Sequence, residues 1–263
     1  KRANANIVMG RFLYALKQEA DYEIISYEGG QKDNAITREA ICEILVARED
    51  VEAVKASAAK AEDGLREEYA GTDGNITVQI TEEGHAETDV LHPTSREKVL
   101  FYLVQIPFGI QKMSGNIEGL VETSTNIGIV KLSDDEFFAR SSVRSSVEVA
   151  RDALSDKIQY LTEFLGGEYE IQGAYPAWEY RKDSPLRDKM VSVYEEMYGQ
   201  KPEVVAIHAG LECGLFYKKI EGLDCVSLGP NMKDIHTSEE VLDIASTERV
   251  WNYLVKVLEQ LKD

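Results

Sequence analysis

The sequence predicts an α+β domain, an antiparallel sheet with helices on one face, followed by a shorter α/β segment. Over residues 22–172 strand-like runs alternate with single helices, and "NIGIVKL" and "EFFARSSV" face each other across the polar turn Ser133-Asp134-Asp135. Hairpins interleaved with single helices imply an antiparallel sheet covered on one side. From Asp183 onward short apolar runs alternate with helices, the pattern of a buried parallel sheet. The stretch "AYPAWEYRKDSP" between the two regions reads as a hinge, so the domains divide at 1–180 and 181–263.

Each element has its own local signal. Residues 5–17 carry helical apolar spacing at Ile7, Phe12, Leu13 and Leu16. "YEIISYE" and "NITVQI" read as strands by alternation and β-branched content. "REDVEAVKASAAKAEDGLREEY" reads as a long helix with a charged outer face. "TSREKVLFYLVQI" opens on a capping box, Thr94 to Glu97, and stops before Pro107. A second box, Ser145 to Glu148, opens a helix with Ala150, Leu154, Ile158, Leu161 and Leu165 on one face, closed by Gly166-Gly167. In "DSPLRDKMVSVYEEMYG", Ser184 is the N-cap, Pro185 the first helical residue and Gly199 the stop. "EVVAI" and "LDCVSL" then read as buried strands around the short helix "LECGLFYKKI", and residues 247–261 as a terminal helix.

Composition narrows the function classes. A chain of 263 residues is one large domain or two ordinary ones. The net charge of −18 argues against a nucleic-acid backbone or an anionic membrane as partner. Apolar runs such as 99–107 are too short to span a bilayer. Cys42, Cys213 and Cys225 are odd in number and lack CxxC spacing, so neither a disulfide framework nor a cysteine zinc site is indicated, and the chain reads as cytoplasmic. It opens "KRANANIVMGRFLYAL", with no signal-peptide core and within one turn of a helix, which reads as a segment of something longer.

Candidate chemistry gathers at the ends of the two late strands. "AIHAGLECG" puts His208 at the carboxyl end of the first, with glycines leading into a helix; "SLGPNMKDIH" puts His236 beyond the second. Ligands in open α/β sheets bind at the carboxyl ends of strands, and a helix N-terminus suits a carboxylate or an oxyanion. Glu212 in that first helical turn also suits the helix dipole with no further role. His208 and His236 fit no local metal motif, and His85 and His92 fall in a polar loop. Pattern alone gives a ligand crevice and no reaction.

The segments "AIHAGLECGLF", "SLGPNMKDIHTSEE", "EGGQKDNAITREA", "VETSTNIGIV" and "RSSVRSS" resemble the aminoacyl-histidine dipeptidases, dinuclear zinc peptidases of the M20 family, along essentially the whole chain. The sequence departs from that pattern at Thr37, where the family has Pro, and at Thr237-Ser238, where it has Ser-Pro. The resemblance implies a split catalytic domain with an inserted lid: residues 1–180 would be the lid, which also mediates homodimers, and 181–263 the C-terminal portion of the catalytic domain. It implies a pair of zinc ions per full-length subunit, absent or partial in this chain, with His236 as the last metal ligand. The other ligands and the general-base glutamate would lie upstream of Lys1, leaving no catalytic residue here. Asn34 and Arg144 match the lid's substrate-binding amide and guanidinium, with His208 and Glu212 as further substrate-binding candidates. The dipeptide is the implied partner, and a guanidinium can grip its carboxylate bidentately. Asn126 in "TSTNIG" is a third polar candidate; a turn residue at Asn34, a surface ion pair at Arg144 and a strand-start cap at Asn126 are the plain alternatives. A metal-free binding or dimerisation module is the alternative to a dipeptidase.

Overall fold

The computed structural model describes residues 2–133, 135–205, 212–235 and 237–262. The fold is mixed α/β with an antiparallel sheet, and the chain forms two compact units. The first comprises Lys1–Ser114, Val121–Ser145 and Val149–Gln172; the second comprises Gly115–Leu120, Ser146–Glu148 and Gly173–Asp263.

In the first unit, helix α1 (Ala5–Leu16) starts where the Asn4 side chain accepts the backbone N–H groups of Asn6 and Ile7. Its Phe12, Leu13 and Leu16 enter the core, and Gly10 permits a close crossing with α3 (Pro93–Gln105): a Cβ there would lie 2.6 Å from that of Leu103. The sheet runs β2 (Ala40–Val46), β1 (Tyr22–Gly29), β4 (Val121–Leu132), with β3 (Gly109–Met113) at the other end of β4 and β5 (Phe137–Ser145) along its opposite edge. All pairings are antiparallel, and β4–β5 is the expected hairpin. One core holds the sheet's apolar face (Tyr22, Ile24, Tyr27, Ile127, Val130, Leu132) together with α1, α3, Val54 and Ala58 of α2 (Val51–Glu68) and Ile158 of α4 (Glu148–Phe164). The other face carries exposed Ile41, Glu43, Lys131, Phe138 and Arg140, so the helices do cover one face.

Two local expectations fail here because other partners win. Thr94 does not cap α3: the His92 ring accepts the Thr94 N–H at 3.2 Å, and Glu97 pairs instead with Lys17 at 2.5 Å. Residues 76–80 form no strand. Their backbone is claimed by side chains of α2, with the Val78 N–H donating to Glu62 at 2.7 Å and the Ile76 carbonyl accepting from Arg66 at 2.9 Å.

In the second unit, α5 (Pro185–Tyr198) has the expected ends: Ser184 accepts the Arg187 N–H, and Gly199 closes the helix in the left-handed region at φ 69°. Met190 and Val193 pack with Tyr253 and Val257 of α7 (Ile244–Gln260), and the Tyr253 hydroxyl donates to the Met190 carbonyl at 2.7 Å. Between them lie α6 (Glu212–Lys219) and a short antiparallel pair, β6 (Met232–Lys233) with β7 (Val241–Leu242). The parallel α/β pattern expected here is corrected in part. Residues 223–228 are not a strand, and the described part of "EVVAI" is irregular, with Val204 and Val205 50% and 65% exposed. Asp224 turns to the start of α5 instead, accepting the Ser184 hydroxyl at 2.7 Å and the Leu186 N–H at 2.9 Å. Ala206 and Ile207 lie outside the described residues.

Candidate substrate-binding site

The loop from Gly30 to Glu39, between β1 and β2, lies against β4 because two glycines allow it. Gly30 sits at φ +79°, and a Cβ on it would fall 1.9 Å from the Gly128 carbonyl oxygen. A Cβ on Gly128 would fall 2.4 Å and 2.5 Å from the carbonyl oxygens of Asp33 and Lys32. The register shift between Ile127 and Ile129 is the bulge that places Gly128 there.

A polar network fastens this loop to β4 and α1. Asn126 donates through Nδ2 to the carbonyls of Asp33 and Ala35, at 3.2 Å and 2.8 Å. Its Oδ1 accepts from Asn4 Nδ2 at 3.0 Å, and the same Asn4 amide donates to the Ile127 carbonyl at 2.9 Å. Asn6 donates to Thr37 Oγ1 at 3.1 Å and accepts from the Tyr27 hydroxyl at 3.2 Å. The Thr37 hydroxyl, where the resembled family has Pro, donates at 3.0 Å to the Gly128 carbonyl. Asn4, Asn6 and Thr37 are all buried. Buried polar groups of this kind hold position only when each finds a partner, and these do.

Asn34 sits at the tip of this loop, in a turn and exposed. Among the described residues its side chain makes no hydrogen bond, whereas those of Asn4, Asn6 and Asn126 are fully engaged. Arg144 stands on β5 opposite Ser124, and Ser142 stands opposite Asn126. Alternation along paired strands therefore puts Arg144 and Asn126 on one face of the sheet, as diagonal neighbours roughly 7–8 Å apart. β4 thus carries both attachments, the loop that bears Asn34 through Asn126 and Arg144 through the register with β5. Asn126 is no strand-start cap, since β4 begins at Val121. An isolated glycine in the strand-like "NIGIVKL" was the available signal for the close approach at Gly128; the roles of Asn4, Asn6 and Asn126 had no local signal.

The other candidates fall in the second unit. Glu212 is the first residue of α6 and exposed. His208 and His236 lie outside the described residues; among the described ones, Met232 and Lys233 pair with Leu242 and Val241, and the Asn231 N–H donates to Ser246 at 2.8 Å. Among the described residues no group of three or more His, Cys, Asp or Glu is placed to hold a metal ion. The described donor set therefore does not make up a metal centre. Cys42 is no nucleophile at neutral pH, since burial, with Glu43 adding to it, pushes its thiol up to about 12.

The family model described as peptidase family M20/M25/M40 matches residues 7–260. The cytosol non-specific dipeptidase of Escherichia coli (strain K12) is 31% identical over 258 residues, covering 98% of this chain and 53% of that protein. The crystal structure of aminoacylhistidine dipeptidase from Vibrio alginolyticus superposes with a TM-score of 0.90 at 32% identity, again over 98% of this chain and 53% of the other. The chain spans about half the length of these relatives. On the extent of the family match and the agreement of the fold, the chain belongs to the M20/M25/M40 peptidase family.

Proposed function

We propose that this chain is the substrate-gripping half of a zinc dipeptidase that hydrolyses Xaa-His dipeptides in the cytoplasm. Residues 1–180 act as a lid and 181–263 as the C-terminal portion of a catalytic domain. The observation that carries the reading is the shared sheet face: the register puts Arg144 on the face of Asn126, whose amide holds the loop that presents the unengaged amide of Asn34. A planar cation suits the dipeptide's carboxylate, and a fixed amide donor suits a carbonyl oxygen that gains charge. His236 is assigned as metal ligand on its motif alone, with His208 and Glu212 as further substrate contacts. The remaining ligands and the general base are assigned to the share of the relatives' length that this chain does not span. The cytoplasmic assignment rests on the name of the Escherichia coli relative; among the described residues no helix is long and apolar enough to cross a membrane. Homodimerisation through the lid is supported by Val149, Tyr160 and Phe164 of α4, which are 78%, 72% and 73% exposed.

The test is hydrolysis of Xaa-His dipeptides, with zinc content, for the chain alone and for the protein completed to its relatives' full length. The chain alone should bind well under one zinc and be inactive; the completed protein should be active and lose activity on chelation. In the completed protein Arg144→Ala should lower transition-state stabilisation by about 2–5 kcal/mol, and Arg144→Lys should recover little because an ammonium lacks the fork. A completed protein without dipeptidase activity would sink the proposal, and full activity in Arg144→Ala would sink the grip.

A further inference from the structure

We infer that Asn126 is a positioning residue that presents Asn34 to the substrate; this rests on the reading of Asn34 as a substrate contact. The Asn126 amide spends its donor capacity on the carbonyls immediately before and after Asn34, those of Asp33 and Ala35. Those bonds hold the peptide unit that enters Asn34 and the one that follows Ala35, so the turn is pinned on either side of Asn34 while its side chain is left without a partner among the described residues. The orientation of the Asn126 amide is set in turn, because Asn4 Nδ2 donates into its Oδ1 and a flipped amide would oppose donor to donor. Asn4 cannot flip to suit, since its own Oδ1 caps α1 by accepting the Asn6 N–H at 2.9 Å. The orientation of α1's first turn is thereby passed through Asn4 and Asn126 to the loop tip. Gly30 and Gly128 bring the loop near enough to be held. A donor held this way is aligned before the substrate arrives, so less ordering entropy is lost on binding and on reaching the transition state. On this view Asn126 touches no substrate and acts only through Asn34.

Acting through one residue has a kinetic signature that general support of the fold lacks. In the full-length dipeptidase containing this chain, kcat and KM are measured for Asn34→Ala, Asn126→Asp and the double variant, well below each melting transition. Asn126→Asp is isosteric, keeps the acceptor for Asn4 and removes both donors to the loop. It should lower kcat/KM about tenfold or more. The double variant should match Asn34→Ala within about twofold, because the clamp has nothing left to position. Amide exchange over 32–36 should quicken in Asn126→Asp. If Asn126→Asp does not fold, Asn126→Ala carries the same comparison. Losses that multiply in the double variant, or wild-type kcat/KM in the folded Asn126 variant while Asn34→Ala is impaired, overturn the inference and leave the reading of Asn34 standing. Wild-type kcat/KM in Asn34→Ala overturns that reading, and the inference with it.

Discussion

Asn4 is fully buried and does two jobs, and two substitutions separate them. Its Oδ1 caps α1, while its Nδ2 donates to Asn126 Oδ1 and the Ile127 carbonyl at 3.0 Å and 2.9 Å. Asn4→Ala removes the cap, at about 1 kcal/mol. It also strands Asn126 Oδ1, at about 1–3 kcal/mol; the Ile127 carbonyl lies 3.3 Å from the Thr37 hydroxyl, whose one proton it shares with the Gly128 carbonyl at 3.0 Å. The expected loss is therefore about 2–4 kcal/mol. Asn4→Asp keeps the cap oxygen and adds a charge favoured at a helix N-terminus by about 0.3–1 kcal/mol. It also replaces the donor with an anionic oxygen facing two acceptors in a site closed to water. That desolvated charge costs several kcal/mol, so at pH 7 Asn4→Asp should be less stable than Asn4→Ala. The buried carboxyl's pKa is raised, so the penalty should shrink as pH falls through that raised value toward about 4. Amide exchange of β1 and β4 is the suitable assay, because both tryptophans, Trp178 and Trp251, lie in the second unit and report there. If Asn4→Asp at pH 7 stayed within about 0.5 kcal/mol of wild type, capping alone would account for Asn4 and the network argument would fail.

Glycines of one chemistry should respond with opposite signs. Gly30→Ala puts a Cβ 1.9 Å from the Gly128 carbonyl oxygen at φ +79° and should cost about 2–4 kcal/mol, read as a lower thermal midpoint. Gly64→Ala, in the exposed interior of α2 with nothing within 4 Å, should raise it by about 0.5–1 kcal/mol of stability. At the start of α5, burial raises the Asp224 carboxyl, but the Leu186 N–H, the Ser184 hydroxyl, Arg181 and Arg187 outweigh it and hold it below the usual value. A depressed carboxyl stabilises the fold above its unfolded pKa near ~3.9 and loses that stabilisation as pH falls through the folded value. The advantage of wild type over Asp224→Ala, followed by tryptophan fluorescence, should accordingly be full at neutral pH and close in acid; a gap that ignores pH would refute the assignment.

What was legible in the sequence was what a few neighbouring residues decide. Ser184, Pro185 and Gly199 mark the ends of α5 because a cap, a preset φ and a left-handed stop act within a turn of their own positions. The β4–β5 hairpin was visible for the same reason. The site was legible only in part. Asn34 and Arg144 came from the resemblance, and nothing near Asn126 says that its amide will meet backbone more than ninety positions away at residues 33 and 35. Ser145 adds another case: local pattern reads a capping box there, and nothing near it says that its hydroxyl will lie 2.9 Å from that of Thr123 across the hairpin.

The misread strands share one physical cause. Apolar, β-branched composition states that side chains favour burial, whereas a strand requires partners for the backbone N–H and C=O groups along an edge. Residues 76–80 have the composition, but Glu62 and Arg66 of α2 take their backbone groups, and β1 is already paired to β2 on one edge and β4 on the other. Residues 223–228 have it too, but Asp224 within them is drawn to the free N–H groups of α5, where a carboxylate is worth more than one more apolar contact. Both segments are anchored, and in both the anchor is a carboxylate meeting a backbone N–H. Charge-assisted bonds of that kind are stronger than a ladder bond between neutral groups. An acidic residue poised beside an apolar run is therefore a reason to doubt the strand, and the sequence already displays it at Asp224.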